Sequence, residues 1–145
     1  MIKRTSPCRH PIPLLVSQVS AGFPSPADDY LDGDLDLHDY LVKKPAATFL
    51  VRATGKSMSG IGIFEGDVLV VDRSGKAIDR SIIIACINGD CFVKRLRINT
   101  TSMWLEAAHG DYSPILIGEH LDFTIWGVVV GVARKHWDNG RVRSD

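Results

Sequence analysis

The sequence lacks a long hydrophobic segment and an excess of charge of either sign. Its longest apolar run, Ile125–Ala133, is about half the length that a membrane-spanning helix requires. The N-terminus has no uninterrupted hydrophobic stretch, so it is unlike a secretory signal. The 17 basic and 17 acidic residues cancel, which argues against a protein whose main role is broad electrostatic binding to nucleic acid. We therefore expect a cytoplasmic protein with no membrane association and little direct DNA binding.

Cysteine and histidine are also sparse and show no metal-binding spacing. The three cysteines, Cys8, Cys86 and Cys91, are odd in number and form no CxxC motif, so we predict reduced thiols rather than a disulfide framework. Cys8 is close to His10, but no second cluster supplies the four ligands that a zinc site requires. The sequence therefore predicts no metal site and no cofactor.

The first part of the chain differs in composition from the rest. Five of the seven prolines occur in the first thirty residues, and proline fixes φ and removes a backbone donor. We therefore predict an extended N-terminal arm over residues 1–29 that is poor in regular structure. Six aspartates follow between Asp28 and Asp39 without a Lys or Arg, which is typical of a solvated segment or of a polar connector that lets the arm move.

From Thr48 onward the pattern changes to short β-branched and aromatic runs separated by glycine. The predicted strands are Phe49–Val51, Val68–Val71, Ile82–Ile87, Phe92–Leu96, Met103–Ala107, Ile115–Ile117 and Phe123–Val132. The dipeptide Asn88-Gly89 predicts a two-residue hairpin turn. Before the first strand, Leu35–Val42 is predicted to form a short helix with Asp34 as its N-cap.

This pattern predicts a mainly β fold, with a compact domain of short strands over residues 30–137. A basic C-terminal tail is expected over residues 138–145, and the preceding Arg134 and Lys135 are expected to belong to the same frayed stretch.

Two side chains are candidate catalytic groups. Ser57 lies in a glycine-containing turn directly after a predicted strand, where serine is usually a turn former and an exposed nucleophile is the alternative. Lys94 shares a strand face with Phe92 and Leu96. It either extends along apolar surface to solvent or is desolvated enough to lose its proton. A neutral amine could accept the serine hydroxyl proton, as in Ser-Lys nucleophilic catalysis.

Several short segments, in their order and spacing, resemble the UmuD family, the self-cleaving subunits of error-prone DNA polymerase V that are related to LexA-type repressors. The segments are Ala21–Pro26, Gly55–Met58, Gly66–Asp72, Phe92–Leu96, Tyr112–Ile115 and Trp126–Val129. Together they cover residues 21 to about 133. The resemblance implies a compact LexA/UmuD-like all-β peptidase domain preceded by an extended arm.

The resemblance also implies a serine endopeptidase that cuts its own chain. Ser57 matches the nucleophile, Lys94 the general base, and the bond Ala21–Gly22 the cleavage site, with Val19 as the apolar residue that anchors the cleavage segment. We expect the backbone N–H groups of Lys56 and Ser57 to be the oxyanion donors, since no Asn or Gln is nearby in sequence.

The partners that the resemblance implies belong to the SOS response to DNA damage. A RecA filament on single-stranded DNA would activate the cleavage. The trimmed homodimer, with an interface expected around Trp126–Val132, would then join a UmuC-like Y-family polymerase for translesion synthesis.

The sequence departs from the UmuD pattern at three places. Lys56 stands where the family often has an acid, and Arg80-Ser81 replaces a Gly-Asp pair that is usual. We expect the Lys56 side chain to point to solvent. The scissile pair Ala21-Gly22 is common in the repressor relatives, whereas some UmuD proteins have Cys-Gly.

Other functions are possible for a Ser-Lys domain. A LexA-like or phage-repressor-like regulator needs a helix-turn-helix domain ahead of its cleavage site, and three helices are not expected in 21 proline-rich residues. A signal peptidase needs a membrane anchor, which the hydropathy pattern does not predict. A non-catalytic dimerising adaptor is the other alternative, and in that case the polymerase complex would be indifferent to the arm.

Overall fold

In the computed structural model, the described residues are 11–15, 31–138 and 141–142. Contacts between backbone segments divide the chain into one unit that ends at Lys43 and another that begins at Lys44. Among the described residues, no helix is long and apolar enough to cross a membrane. The predicted boundaries of arm, domain and tail at residues 29 and 137 stay predictions.

The described residues of the first unit form one strand pair and one helical turn. Strand β1 (Ile12–Leu15) pairs antiparallel with β2 (Leu31–Leu35), and helix α1 (Leu37–Leu41) follows. The expectation that the arm has little regular structure is therefore wrong at β1. Its prolines are compatible with a strand that has a partner on one side only.

Helix α1 begins later than the sequence predicts. Asp36, not Asp34, is the N-cap: its backbone is extended, and its carboxylate accepts a hydrogen bond from the N–H of Asp39 at 3.2 Å. The predicted start was wrong because Leu35 still belongs to β2. Several aspartates between Asp28 and Asp39 could cap a helix, so the position at which β2 ends decides which of them is the N-cap.

The second unit is built on a seven-stranded antiparallel sheet. Its strands are β3 (Thr48–Arg52), β4 (Val68–Asp72), β5 (Ile82–Ile87), β6 (Asp90–Ile98), β7 (Met103–Glu106), β8 (Ile115–Leu116) and β9 (Phe123–Ala133). Their spatial order is β3-β4-β9-β5-β6-β7-β8. A separate pair, β10 (Trp137–Asp138) and β11 (Arg141–Val142), follows. The predicted mainly β fold is confirmed.

Strand β5 has a buried core on both of its faces. Ile84 packs with Met58, Leu69 and Val71 on one face, whereas Ile83 packs with a second cluster on the other. That second cluster consists of Ile83, Ala85, Leu96 and Leu105. Burial on both faces explains why β5 is a continuous apolar run instead of an alternating one.

The hairpin between β5 and β6 turns at Asn88-Gly89, as the sequence predicts, and both residues have positive φ (50° and 88°). The turn is attached to the segment before β9, because the N–H of Asn88 donates to the carbonyl of Asp122 at 2.9 Å. The N–H of Asp122 donates in return to Oδ1 of Asn88 at 3.2 Å.

A disulfide joins Cys86 of β5 to Cys91 of β6, so the prediction that these residues are reduced thiols was wrong. The two-residue turn makes them directly opposed residues, with a Cα–Cα distance of 4.1 Å. The number of cysteines and the absence of a CxxC motif do not reveal this kind of pairing, because it depends on how the two strands are aligned. Cys8 lies outside the described residues.

The strand-to-strand turn before β4 is fixed by a buried ion pair. Asp67 is only 1% exposed, and its carboxylate accepts hydrogen bonds from Nε and Nη2 of Arg134, both at 2.5 Å, and from the N–H of Phe64 at 2.8 Å. Nη2 of Arg134 also donates to the carbonyl of Gly62. The expectation that Arg134 belongs to a frayed stretch was wrong, because these hydrogen bonds hold its side chain against Asp67 and Gly62.

Candidate active site

A cavity of about 140 Å³ lies between the end of β3 and the start of β6. It is lined by Val51, Arg52, Ala53, Thr54, Gly55, Ser57, Met58, Ile63, Ile84, Cys91, Phe92 and Val93. The lining combines apolar side chains with polar groups, and Ser57 lies beside Met58 at its wall. The apolar part of the wall suits an apolar side chain placed close to the Ser57 hydroxyl.

Ser57 lies in the turn after β3, and the turn is attached to the chain segment after β7. The carbonyl of Ser57 accepts a hydrogen bond from the N–H of Ala108 at 2.7 Å, and the N–H of Gly60 donates to the carbonyl of Ala108 at 2.7 Å. A side chain at Gly60 would collide with that carbonyl oxygen, so this close approach requires glycine. Met58, which is 3% exposed, holds the turn in the core.

Lys94 lies within β6, directly opposite Ile83 of β5. It is only 8% exposed, and burial lowers the pKa of its amine below the ordinary lysine value. The Lys94 side chain therefore does not extend to solvent, and the loss of its proton near neutral pH stays a prediction. Leu96, on the same strand face, is buried as expected, whereas Phe92 is 42% exposed.

The segment from Ala108 to Tyr112 contacts both candidate residues. Ala108 binds the Ser57 turn through the backbone, and Nζ of Lys94 lies 5.2 Å from the centroid of the Tyr112 ring. The ring of His109 packs edge-on against Tyr112 with a centroid distance of 5.7 Å. Val93, the neighbour of Lys94, shares the cavity wall with Ser57. The Ser57 turn and the Lys94 strand therefore meet at one region of the fold.

The supporting roles of Ala108 and Tyr112 were not predicted from the residues. The signal for Tyr112 was present, since Tyr112–Ile115 is one of the segments that resemble the UmuD family. No local pattern marks Ala108, because its role depends on a backbone contact to a turn about fifty residues earlier.

The remaining predicted site residues divide into three groups. Lys56 is exposed, as expected. The assignment of its N–H and that of Ser57 as oxyanion donors stays a prediction. The predicted cleavage site Ala21-Gly22 and the anchor Val19 lie outside the described residues.

The substitution Arg80-Ser81 is accommodated in the turn before β5. Arg80 has a φ of 73°, a conformation that favours glycine. Oγ of Ser81 accepts a hydrogen bond from the N–H of Ile78 at 3.0 Å, which is the kind of contact that an aspartate would also make. Backbone hydrogen bonds link Arg80 and Ser81 to Leu96, so this turn supports β6 two residues after Lys94.

In the described part of the chain, three side chains that could bind a metal ion come together at one place. Asp36, His38 and Asp39 lie close enough to share an ion. Asp36 already serves as the cap of α1, and this group belongs to the first unit.

Comparison with known proteins gives one consistent family. The chain matches the model of the Peptidase S24-like family over residues 13–130. It is 41% identical to protein MucA of Salmonella typhimurium over 128 residues, 88% of this chain and 87% of MucA. It is 40% identical to protein SamA of Salmonella typhimurium over 129 residues, 89% of each chain. The LexA repressor of Vibrio campbellii is 37% identical over 124 residues, 83% of this chain and 59% of the repressor.

Proposed function

The chain belongs to the Peptidase S24-like family, and on that premise we propose that it is a UmuD-like protein that cuts its own Ala21–Gly22 bond. Ser57 is the nucleophile and Lys94 the general base. The observation that carries this proposal is a buried lysine, 8% exposed, next to Val93 on a cavity wall that includes Ser57. Most lysines are exposed, so a buried one beside a serine-lined cavity needs a reason.

The proposed reaction has two steps. The neutral Lys94 amine takes the hydroxyl proton of Ser57 while Oγ attacks the carbonyl carbon of Ala21. The N–H groups of Lys56 and Ser57 stabilise the oxyanion, and protonated Lys94 then gives its proton to the amine of Gly22. The resulting ester between Ser57 and Ala21 is hydrolysed by a water that Lys94 deprotonates. The products are residues 1–21 and residues 22–145.

The cavity supports a substrate with small residues at the scissile bond. Its volume of about 140 Å³ leaves little room beyond one aliphatic side chain, the role proposed for Val19. Ala21 and Gly22 carry almost no side chain, so their peptide can approach Ser57 closely. The apolar part of the lining, including Val51, Ile63 and Ile84, matches an aliphatic anchor.

Control of the reaction depends on how often the arm occupies the cavity. If the docked fraction is small, the observed rate falls by that fraction, so a partner that favours docking activates cleavage. We propose that a RecA filament on single-stranded DNA is this partner, and that the trimmed dimer serves a UmuC-like polymerase. Support for a dimer surface on β9 comes from Trp126 and Val130, which are 52% and 50% exposed.

Mass spectrometry of the full-length protein tests the proposal. After incubation with RecA, ATP and single-stranded DNA, or at alkaline pH alone, we expect a product that begins at Gly22. Ser57→Ala and Lys94→Ala should stay intact. The matched controls are Ser59→Ala, a half-buried neighbouring serine, and Lys56→Ala, an exposed neighbouring lysine; both should cleave like the wild type.

Two results would contradict the assignment. Cleavage of Ser57→Ala at the wild-type rate would place the nucleophile elsewhere. An intact wild-type chain under all of these conditions would favour the non-catalytic adaptor.

A further inference from the structure

The disulfide Cys86–Cys91 lies at the cavity. Cys91, Phe92 and Val93 form the β6 side of the cavity wall, and Cys91 is joined directly across the hairpin to Cys86. In a hairpin with a two-residue turn, Ile87 and Asp90 form the first hydrogen-bonded pair, so the cysteines occupy the next pair, which is not hydrogen-bonded. The side chains in such a pair are closest together.

This part of β6 has little other support. Arg95 of β6 pairs with both β5 and β7, and residues 96–98 pair with β7. Within the described residues, the first half of the strand, residues 90–94, pairs with β5 alone. The disulfide is therefore a covalent link from a sheet edge that borders the cavity to a strand inside the sheet.

The two sulfur-bearing residues differ in their access to solvent. Cys86 is 8% exposed, whereas Cys91, near the turn of the hairpin, is exposed. A reagent from solvent therefore reaches Cys91 first, which is the arrangement expected of a disulfide that exchanges with external thiols.

We propose that Cys86–Cys91 is a reversible thiol–disulfide site whose co-substrate is a dithiol reductant, and that its redox state sets the rigidity of the cavity wall beside Ser57. The redox site stands by itself. Its effect on self-cleavage rests on the proposed function.

The exchange proceeds in two balanced steps. A thiolate of the reductant attacks Sγ of Cys91, which breaks the S–S bond, forms a mixed disulfide at Cys91 and releases the Cys86 thiolate, which takes up a proton. The second thiolate of the reductant then attacks the reductant's other sulfur, which is bonded to Sγ of Cys91. This step releases the Cys91 thiolate, which is also protonated. Two electrons pass from the reductant to the cysteine pair, and the reductant leaves as a cyclic disulfide.

Reduction should loosen the wall without unfolding the hairpin. The hydrogen bonds between Asn88 and Asp122 hold the turn in either redox state. What changes is the freedom of residues 91–93 to move away from Ser57, and this stretch leads directly into Lys94. Because a loose wall spends less time in the geometry that cleavage needs, the oxidised form should cleave faster.

The redox site is tested on the full-length protein carrying Cys8→Ser, so that Cys86 and Cys91 are the only cysteines. The protein is equilibrated in buffers of reduced and oxidised dithiothreitol, and its free thiols are then alkylated and counted by mass spectrometry. We expect a reversible change between no added groups and two, with no stable one-group species. A pair that is reduced only after the protein is denatured, or that never oxidises, would overturn the proposal.

The effect on the wall is tested by hydrogen exchange of residues 90–94 and by the self-cleavage rate, both measured in each redox state. Reduction should speed amide exchange by about tenfold and slow cleavage by about threefold to tenfold. The double variant Cys86→Ser, Cys91→Ser should match the reduced protein under all conditions.

The outcomes separate the two proposals. Equal exchange in both redox states would overturn control of the wall, and equal cleavage rates in an active protein would overturn the coupling. Redox-dependent exchange in a protein that never cleaves would support the redox site and contradict the proposed function.

Discussion

The turn that carries Ser57 and the strand that carries Lys94 are held in place by different interactions. The turn depends on backbone hydrogen bonds to Ala108 and on one buried side chain, Met58. Lys94 depends on its ladder position opposite Ile83 and on burial. The difference indicates that the Ser57 turn tolerates changes of side chain but not a change in the distance between its backbone and that of Ala108. The proton affinity of Lys94 depends instead on the residues that bury it.

The largest expected effect tests the Lys94 side of this comparison. Lys94→Arg should reduce self-cleavage by about a thousandfold, because the guanidinium keeps its proton and cannot act as a base. Lys56→Arg, in the exposed neighbour of Ser57, is the matched control and should cleave normally. The rates are measured by mass spectrometry, with thermal unfolding as a check on the fold. Normal cleavage by a folded Lys94→Arg protein would exclude a lysine base.

The next effect tests the Ser57 side. Gly60→Ala should slow cleavage by about tenfold to a hundredfold and destabilise the fold by about 1–3 kcal/mol, because the added methyl group collides with the Ala108 carbonyl. Gly110→Ala, in the segment that contains Ala108, is the control, since an added Cβ there meets nothing within 4 Å. Equal behaviour of the two variants in cleavage and urea unfolding would show that the backbone contact does not position the turn.

A smaller effect concerns the cost of burying Lys94. Burial lowers the pKa of Lys94 in the folded state. At pH values between that lowered pKa and the ordinary lysine pKa, Lys94 is protonated in the unfolded chain but neutral in the folded one. The free energy of unfolding of the wild type should therefore rise with pH across this window. Lys94→Met should lack this rise, so that it is more stable than the wild type below the window and loses this advantage as the pH increases.

Urea unfolding at a series of pH values measures this difference. Lys56→Met is the control, because an exposed lysine should not produce the trend. If the stability curves of Lys94→Met and the wild type run parallel at all pH values, burial does not affect the Lys94 amine.

The smallest effect concerns the Tyr112 ring, whose face stabilises a positive charge on Lys94 at 5.2 Å. In Tyr112→Leu this stabilisation is lost, so the pKa of Lys94 should fall further. The rise of the cleavage rate with pH should then shift by about half a pH unit toward lower pH. Tyr40→Leu, in an exposed tyrosine of the first unit, should leave the pH–rate profile unchanged. A shift toward higher pH would contradict a stabilising contact with the ring.

Strand positions and the hairpin turn were predictable because they depend on local preferences. Each of the seven predicted apolar runs forms a strand of the large sheet, and Asn88-Gly89 adopts the expected positive φ values. The alternation along β6 predicted one face shared by Phe92, Lys94 and Leu96; Lys94 and Leu96 are buried, whereas Phe92 is 42% exposed. The same local rules misplaced the start of α1, since they do not say where β2 ends.

The contacts that join distant segments were not predictable from local patterns. The anchoring of Arg134 on Asp67 depends on the approach of residues far apart in sequence. The contact of Tyr112 with Lys94 depends on the path of the chain after β7. The Cys86–Cys91 bond is local, but it depends on the strand register of the hairpin.

The amino-acid sequence by itself determined the mainly β class and the hairpin, because backbone preferences and side-chain alternation act over a few residues. The resemblance of its short segments to the UmuD family singled out the two residues proposed for catalysis. Only the tertiary structure decided that Lys94 is buried, that the Ser57 turn is attached to Ala108, and that a disulfide borders the cavity. These features arise from the strand order β3-β4-β9-β5-β6-β7-β8. That order is set by how the whole sheet buries its apolar surface, so no short stretch of sequence encodes it.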